Sequence, residues 1–326
     1  MTLAELPLAA DPSRAWSQHW QQTLTGSIDL LASDPVATAL RTHWQSQIPA
    51  LQLAGAIADV GSGPAILARL MSSLGWTPAP PAVWWCIDAA HLGSAWQHAL
   101  PASIRVLDQT PFDTAEPPHG PVDALVSNFG LEYLPLRSIA QAVPRWLRPN
   151  GFFNAVLHAR GSVIDAVSRE HAGDLRMALE DVRLPALAKD LVSALATAPA
   201  DPVQRMMHGV ETRDAYNAGV DRLKQVMEDR GRPSAVLMDL LRATTQVIRD
   251  LKTVGEPAAQ RALEQLQAVY EGERRRLDQM LASALDETAA AHWRTTLQES
   301  AGLKHLELER LDCGIGTVAW NLRSAA

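Results

Sequence analysis

A short segment near residue 60 combines residue types that hold ligands in α/β proteins. Asp59 and Val60 end an apolar run, Gly61 and Gly63 follow with Ser62 between them, and a helix-period pattern comes next. Glycine reaches backbone torsions that other residues avoid and lets a ligand lie against the main chain. The start of a helix presents free N–H groups, which attract negatively charged groups. The spacing therefore predicts a strand, a ligand-binding turn and a helix; the alternative is a plain glycine turn.

The glycine pattern excludes two familiar phosphate-binding motifs. A dinucleotide site has a third glycine where this chain has Ile66. The chain contains no G-x-x-x-x-G-K-[ST] sequence, which excludes a P-loop. The string D-x-G-x-G after a strand instead resembles motif I of class I S-adenosylmethionine-dependent methyltransferases. The resemblance implies S-adenosyl-L-methionine as cofactor and S-adenosyl-L-homocysteine as product, with Asp59, Gly61, Ser62 and Gly63 as cofactor-binding residues.

A second acid ends the next predicted strand. Asp88, followed by Ala89, comes directly after the apolar run 82–87. A carboxylate at this place in a parallel sheet can accept hydrogen bonds from both hydroxyls of a ribose. Asp88 also matches the motif II acid of the methyltransferases, so both residues are predicted to contact the cofactor. A compatible alternative is that Asp88 caps a helix predicted over 89–99.

A third acid follows the third predicted strand, 103–107. Asp108 and Gln109 precede a Pro-Phe pair, as an acid does in many class I methyltransferases. In that family the acid contacts the adenine amine, and a carboxylate suits this contact because it only accepts hydrogen bonds when ionised. The resemblance therefore implies that Asp108 and Gln109 bind the cofactor.

The segment 122–134 resembles motif IV of methyltransferases that act on small molecules, such as those of quinone biosynthesis. Ser127 and Asn128 end its strand and are predicted to contact the cofactor. The following Phe129 and Gly130 replace the prolines of the N-P-P-Y and D-P-P-Y strings, which serve enzymes that methylate base amines. Methylation of nucleic-acid bases is therefore disfavoured.

A general base is needed only if the methyl acceptor is a hydroxyl or an acidic carbon. Glu132 and His158 are the predicted catalytic residues, because they follow the fourth and fifth strands, where Tyr133 and Arg160 are further candidates. Glu132 has an alternative role as a first-turn acid of a helix, and His158 as a hydrogen-bonded histidine at a strand end. Three residues of the later helical region are weaker candidates: His171, His208 and Tyr216.

The elements that carry these residues alternate between strands and helices. Residues 148–151 form a predicted turn before a fifth strand at 152–158. After a helix at 289–300, strands at 306–311 and 316–323 are joined by a short loop, which favours an antiparallel pair. We predict an α/β fold with a Rossmann-like, seven-stranded, mostly parallel sheet that has one antiparallel strand, and a large all-helical insertion after strand 5.

These elements divide the chain into three predicted parts. Residues 1–50 form a predicted N-terminal helical cover, residues 51–161 and 287–326 the S-adenosylmethionine-binding domain, and residues 162–286 the helical insertion. An insertion after the fifth strand lies at the carboxyl ends of the strands, the ligand side of such a sheet. We expect it to act as a lid over the substrate, as a dimerisation arm between two copies, or as both.

Helical spacing of apolar residues supports the two helical parts. Trp16 and Trp20 lie one turn apart after Asp11-Pro12-Ser13, and they are expected either to pack as a cover or to line the ligand pocket. Within the insertion the spacing predicts helices over 175–195, 213–228, 237–251 and 263–284. The last two of these are expected to pair in antiparallel fashion.

Composition excludes several classes of protein. The chain has 326 residues and a net charge of −7, and its Arg274–Arg276 run lies among acids, which disfavours a nucleic-acid partner. The N-terminus lacks the pattern of a signal peptide and no apolar run is long enough to cross a membrane, so a cytoplasmic protein without membrane contact is expected. Cys86 and Cys313 are too few for a disulfide framework, and no metal site is predicted.

Together these features predict an S-adenosylmethionine-dependent methyltransferase (EC 2.1.1.-). The expected acceptor is a small molecule, methylated on oxygen, nitrogen or carbon, in bacterial natural-product or cofactor metabolism. One alternative is a methyltransferase for the carboxyl group of a carrier-bound acyl chain or for a protein. Another is a non-catalytic partner subunit that keeps the cofactor fold.

Overall fold

The computed structural model describes residues 13–22, 30, 32–77 and 81–324. Asp11 and Pro12, which precede the predicted helix of Trp16 and Trp20, lie outside these residues. The chain divides into two compact units. The first contains the described residues up to Val167 and those from Gln279 onward, and the second runs from Ser168 to Asp278.

The first unit contains one sheet of seven strands in the order β3-β2-β1-β4-β5-β7-β6. β7 runs antiparallel to both β5 and β6, whereas the other neighbouring strands are parallel. The predicted fold class, a mostly parallel Rossmann-like sheet with one antiparallel strand, is confirmed. The strands are β1 (Ala56–Val60), β2 (Val83–Ile87), β3 (Ile104–Leu107), β4 (Val122–Asn128), β5 (Leu147–His158), β6 (Leu306–Asp312) and β7 (Thr317–Ser324).

Helices cover the sheet. Asp34 caps α2 by accepting a hydrogen bond from the Ala37 N–H, and the fully buried Leu40 and Trp44 show why this helix packs inward. The covering helices are α1 (Ser13–Gln22), α2 (Pro35–Ser46), α3 (Ile48–Gln52), α4 (Ile66–Ser73) and α5 (Leu136–Trp146).

The predicted helical insertion after β5 is also confirmed. Its elements are α6 (Val163–Arg176), a π-helical turn (Met177–Asp181), α7 (Leu184–Ala196), α8 (Pro202–Met207), α9 (Val210–Arg230), α10 (Ala235–Val254) and α11 (Glu256–Ser283), and α12 (Glu287–Ser300) then returns the chain to the sheet. The Tyr270 hydroxyl donates to Asp239 Oδ2 at 2.6 Å. These residues are almost equally far from the turn at Gly255, as in an antiparallel helix pair.

The prediction of one continuous helix over 175–195 is wrong. A π-helical turn ends α6, and Arg183 then adopts a left-handed conformation with φ of 58° before α7 begins. Pro185 lies in the first turn of α7. Proline lacks an N–H and fits the first turn of a helix but not its interior, so a new helix starts here.

The prediction of a helix over 89–99 is also wrong, because only a 3₁₀ turn at Gln97–Ala99 forms. Backbone N–H groups of this segment donate to side-chain acceptors instead of forming the hydrogen bonds of a helix. Asp88 Oδ1 accepts from the Ala90 N–H, Asp108 Oδ1 from the Leu92 N–H, and Ser17 Oγ from the His91 N–H, each at 2.8 Å. Such local bonds compete with helix formation.

The predicted turn at 148–151 is part of β5. Asn150 adopts a left-handed conformation with φ of 62°, but the pairing with β4 continues through an irregularity between Val122 and Ala124. A bulge of this kind absorbs an unusual torsion without ending the strand.

Asp123 at the start of β4 provides a test of this arrangement. Its Oδ2 accepts from the Gly55 and Ala56 N–H groups, both at 2.9 Å, and its Oδ1 pairs with Arg148. We expect Asp123→Ala to lower the free energy of unfolding by about 1–3 kcal/mol, because two N–H groups lose their acceptor. Urea denaturation measures this loss. Glu299→Ala on α12 is the exposed control; an equal effect of both substitutions would contradict the role of Asp123.

Candidate functional site

A cavity of about 690 Å³ lies at the carboxyl ends of β1, β2, β4 and β5. Ligands bind at this edge of open α/β sheets, where the strand order reverses on either side of β1. All of its lining residues belong to the first unit. The lining residues include Trp16, Trp20, Asp59, Gly61, Ser62, Gly63, Asp88, Ala89, Asn128, Phe129, Glu132, Tyr133 and His158.

The glycine turn after β1 forms one wall of the cavity. Gly61 and Gly63 have φ of 68° and 51°, a region that favours glycine. A Cβ on Gly61 would lie 2.5 Å from Gly130 Cα, so the turn also needs glycine for space. The Gly61 N–H donates to Ile87 O at 2.9 Å, and the Gly63 N–H to Asp88 Oδ2 at 2.8 Å. The end of β2 therefore holds the turn in place.

Two acids at the ends of β1 and β2 have altered acidity. Burial raises the pKa of Asp59 to about 8, although a hydrogen bond from Trp84 Nε1 opposes this change. Burial likewise raises the pKa of Asp88 to about 6, and the Ala90 and Gly63 N–H groups partly offset it. At neutral pH Asp59 is therefore mostly protonated, whereas Asp88 is mostly ionised.

Glu132 and His158 form a buried pair on the adjacent wall. Glu132 Oε1 lies 2.6 Å from His158 Nδ1 and also accepts the His158 backbone N–H at 2.8 Å. The two residues are only 6% and 5% exposed. Because a carboxylate accepts hydrogen bonds, Nδ1 is the donor in this contact, and in a neutral imidazole Nε2 is then the proton acceptor. This is the arrangement of a general base held by a carboxylate.

Aromatic rings surround this pair. The Phe129 ring centroid lies 4.3 Å from that of His158, and the Tyr133 centroid lies 6.0 Å from it, edge-on. Trp16 packs edge-on against Tyr133 at 5.3 Å and stacks on Trp20 at 5.7 Å. We call Trp16, Phe129 and Tyr133 the aromatic wall. The predicted cover helix thus places both of its tryptophans in the cavity lining.

Three predicted cofactor residues do not line the cavity. Asp108 binds the Leu92 N–H and lies 3.0 Å from His91 Nδ1. Gln109 has a left-handed backbone, and Ser127 donates to Val60 O and accepts from the Leu131 N–H. The Asp108 and Ser127 side chains thus hold neighbouring backbone segments, whereas the other predicted cofactor residues line the cavity.

The remaining catalytic candidates lie in different places. Tyr133 lines the cavity, whereas Arg160 faces Asp286 with 4.0 Å between Nη1 and Oδ2. Three candidates belong to the second unit: His171, His208 and Tyr216. Within the described ranges, no group of three or more His, Cys, Asp and Glu side chains is arranged to hold a metal ion. No helix in the described part of the chain is long and apolar enough to cross a membrane.

The structure adds lining residues that the sequence did not indicate. The end of α11 contributes Gln279, Ala282 and Ser283. The Leu285 N–H donates to His158 O at 2.8 Å, which brings this helix end beside the catalytic candidate. This contact joins residues far apart in the sequence, so no local pattern indicates it.

Several lining groups fit S-adenosylmethionine. The glycine turn brings backbone to the cavity, and two acids, Asp59 and Asp88, border the cavity beside this turn. Glu132 also borders the cavity, but its side chain is fully buried and is held by His158.

No protein-family model matches the chain, and no curated protein matches it. A methyltransferase from Mesorhizobium loti that depends on S-adenosylmethionine shows 19% identity and a TM-score of 0.31, over 37% of this chain and 54% of its own. Phosphoethanolamine N-methyltransferase 1 of Haemonchus contortus shows 18% identity and a TM-score of 0.33, over 44% of this chain and 31% of its own. Human N-acetylserotonin methyltransferase shows 12% identity and a TM-score of 0.36, over 90% of this chain and 56% of its own. The matched region thus spans at most 56% of these neighbours.

The chain has a Rossmann-like, mostly parallel sheet of seven strands, in which β7 is reversed between β5 and β6. The solved structures to which it is similar include several methyltransferases.

The raised pKa of Asp59 predicts a pH effect on the stability of the ligand-free protein. Between its ordinary pKa of 3.8 and about 8, the unfolded chain loses the Asp59 proton while the folded chain retains it. Stability from this group is therefore full below pH 4 and is lost as the pH rises to 8. We expect Asp59→Asn to remove this loss, so that its advantage over the natural protein grows by a few kcal/mol from pH 4 to pH 8.

Denaturation in urea at several pH values measures the Asp59 effect. Glu299→Gln, an exposed acid on α12, serves as the control and should follow the pH dependence of the natural protein. Parallel curves for Asp59→Asn and the natural protein would contradict the prediction.

Proposed function

We propose that this chain is an S-adenosylmethionine-dependent methyltransferase that methylates a hydroxyl oxygen of a small, uncharged acceptor. The observation that carries the proposal is the Glu132–His158 pair, which lines the same cavity as the glycine turn and Asp88. A cofactor-type surface and a general base that face one space are what such a reaction requires.

The residues that would hold the cofactor lie on one side of the cavity. The backbone at Gly61 and Gly63 would lie against it, and Asp88 would accept its ribose hydroxyls through oxygens that also accept the Gly63 and Ala90 N–H groups. When bound, S-adenosylmethionine supplies a methyl carbon to the acceptor oxygen as its carbon–sulfur bond breaks, and the electron pair remains on sulfur.

His158 would remove the proton of the acceptor hydroxyl. Its Nδ1 donates to Glu132 Oε1, so the lone pair of Nε2 is available for the proton. Glu132 is a positioning residue in this step, because the same oxygen also holds the His158 backbone and fixes the ring. The carboxylate would stabilise the imidazolium that forms, as the acid does in other His–carboxylate pairs.

The charge of the lining supports an uncharged acceptor. None of the described residues that line the cavity is Lys or Arg. An acceptor with a carboxylate or phosphate would lose its hydration without a cationic partner, and this is costly. This disfavours carrier-bound acyl carboxylates, and the Glu132–His158 pair disfavours a non-catalytic subunit.

Replacement of the base tests the proposed function. We expect His158→Ala to lower kcat by about 10²–10⁴-fold, the usual contribution of general base catalysis, and to change the affinity for S-adenosylhomocysteine by less than about threefold. Glu132→Gln should retain partial activity, because its amide oxygen still accepts from Nδ1. Methyl transfer from labelled S-adenosylmethionine and calorimetric titration give the two values. Unchanged turnover in His158→Ala would refute the assignment.

Replacement of the ribose acid tests the cofactor site. We expect Asp88→Ala to weaken binding of S-adenosylmethionine by about 10–100-fold, because a hydrogen bond to a charged group contributes about 1.5–3 kcal/mol. Since the pKa of Asp88 is about 6, binding by the natural protein should also weaken as the pH falls through 6. Calorimetry measures both effects. Asp113→Ala is the control outside the cavity lining, and binding by Asp88→Ala equal to this control would exclude the ribose contact.

A further inference from the structure

The aromatic wall is built around the proposed base. Phe129 packs against the His158 ring at an interplanar angle of 49°, Tyr133 lies edge-on to it, and Trp16 extends the surface beyond Tyr133. All three residues line the cavity. A ring-shaped molecule beside this wall would gain offset or edge-to-face contacts, which a saturated molecule of equal size cannot make.

The backbone keeps Phe129 in an unfavourable conformation to form this wall. Its φ is 61°, which is uncommon for a residue with a bulky side chain. The Phe129 N–H donates to Val156 O at 2.8 Å, so the end of β5 holds the residue there. Strained torsions that the surrounding structure maintains are typical of functional sites. The consequence here is that the Phe129 ring lies against His158.

Trp16 is also fixed in place. The helix that carries it is tied to the loop after β2, because Ser17 Oγ accepts the His91 N–H at 2.8 Å. One turn later Trp20 packs against Gly63, where an added Cβ would lie 2.8 Å from its Cζ2 atom. The Trp16 ring stacks on Trp20, so this part of the wall is ordered before any acceptor binds.

We infer that the acceptor is a flat, uncharged aromatic hydroxyl compound, bound between the aromatic wall and His158, with Trp16 as a determinant of specificity. This inference rests on the proposed function. The lining offers no Lys or Arg among the described residues, which fits an acceptor without an anionic group. In the reaction the hydroxyl proton passes to His158 Nε2 while the oxygen gains the methyl group.

The reactivity of such an acceptor matches the base. A phenolic hydroxyl has an ordinary pKa of about 10, and an imidazole has one of about 6.5, so the difference in pKa is small enough for proton transfer. The pKa of bulk water is about 15.7, and hydroxyls of such low acidity give up a proton to imidazole far less readily. The aromatic wall and the base thus favour the same class of molecule for independent reasons.

The test compares three probes that share a two-ring carbon skeleton: 2-naphthol, decahydro-2-naphthol and 2-naphthoate. Each is titrated calorimetrically into the full chain saturated with S-adenosylhomocysteine. We expect 2-naphthol to bind at least tenfold tighter than the saturated alcohol, and the carboxylate to bind most weakly. Labelled S-adenosylmethionine then shows whether 2-naphthol gives its methyl ether.

Variants of Trp16 connect this preference to the wall. Trp16→Leu should reduce the preference for 2-naphthol over decahydro-2-naphthol to less than threefold, and Trp16→Phe should restore most of it. Trp85→Leu is the matched control, because Trp85 is half-buried and outside the cavity lining. Affinity for S-adenosylhomocysteine, measured for each variant, shows whether the cofactor side is intact.

The outcomes separate the two proposals. No binding of S-adenosylhomocysteine by the natural protein would overturn the proposed function and this inference together. Binding of S-adenosylhomocysteine with equal affinity for 2-naphthol and decahydro-2-naphthol would overturn the aromatic acceptor alone. An equal loss of preference in Trp16→Leu and Trp85→Leu would refute the role of Trp16.

Discussion

The close approach of two backbone turns is the constraint on which the site depends. Gly61, after β1, and Gly130, after β4, meet without side chains between them: a Cβ on Gly130 would lie 2.3 Å from Val60 O. Ser127 joins the same two strand ends, since its hydroxyl donates to Val60 O and accepts the Leu131 N–H. The turn that suits a cofactor and the turn that carries Glu132 therefore become adjacent walls of one cavity.

The other residues of the site lie at the same carboxyl edge of the sheet. Glu132 comes two residues after Gly130 and reaches across to His158 at the end of β5, where a single carboxylate oxygen holds both the backbone N–H and Nδ1. On the other side of β1, Asp88 at the end of β2 holds the glycine turn by accepting the Gly63 N–H. The Glu132–His158 pair, the glycine turn and Asp88 are thus all positioned by the ends of strands.

Electrostatics and shape divide the cavity into two parts. One part combines the glycine turn with two acids: burial keeps Asp59 mostly protonated near neutral pH, whereas hydrogen bonds from the Ala90 and Gly63 N–H groups offset burial at Asp88. The other part combines aromatic rings with a histidine and has no Lys or Arg among the described lining residues. The proposed function assigns the first part to a positively charged cofactor and the second to an uncharged, ring-shaped acceptor.

The sequence by itself determined the strands, the polar residues at their ends and the glycine turn, because apolar runs and glycine spacing are local signals. Only the tertiary structure decided that Asp108 and Ser127 would hold neighbouring backbone segments, that residues 89–96 would not be helical, and that Phe129 would lie against His158. These outcomes depend on hydrogen bonds and contacts between distant residues. Local propensity cannot indicate such partners, since they meet only when the sheet has formed.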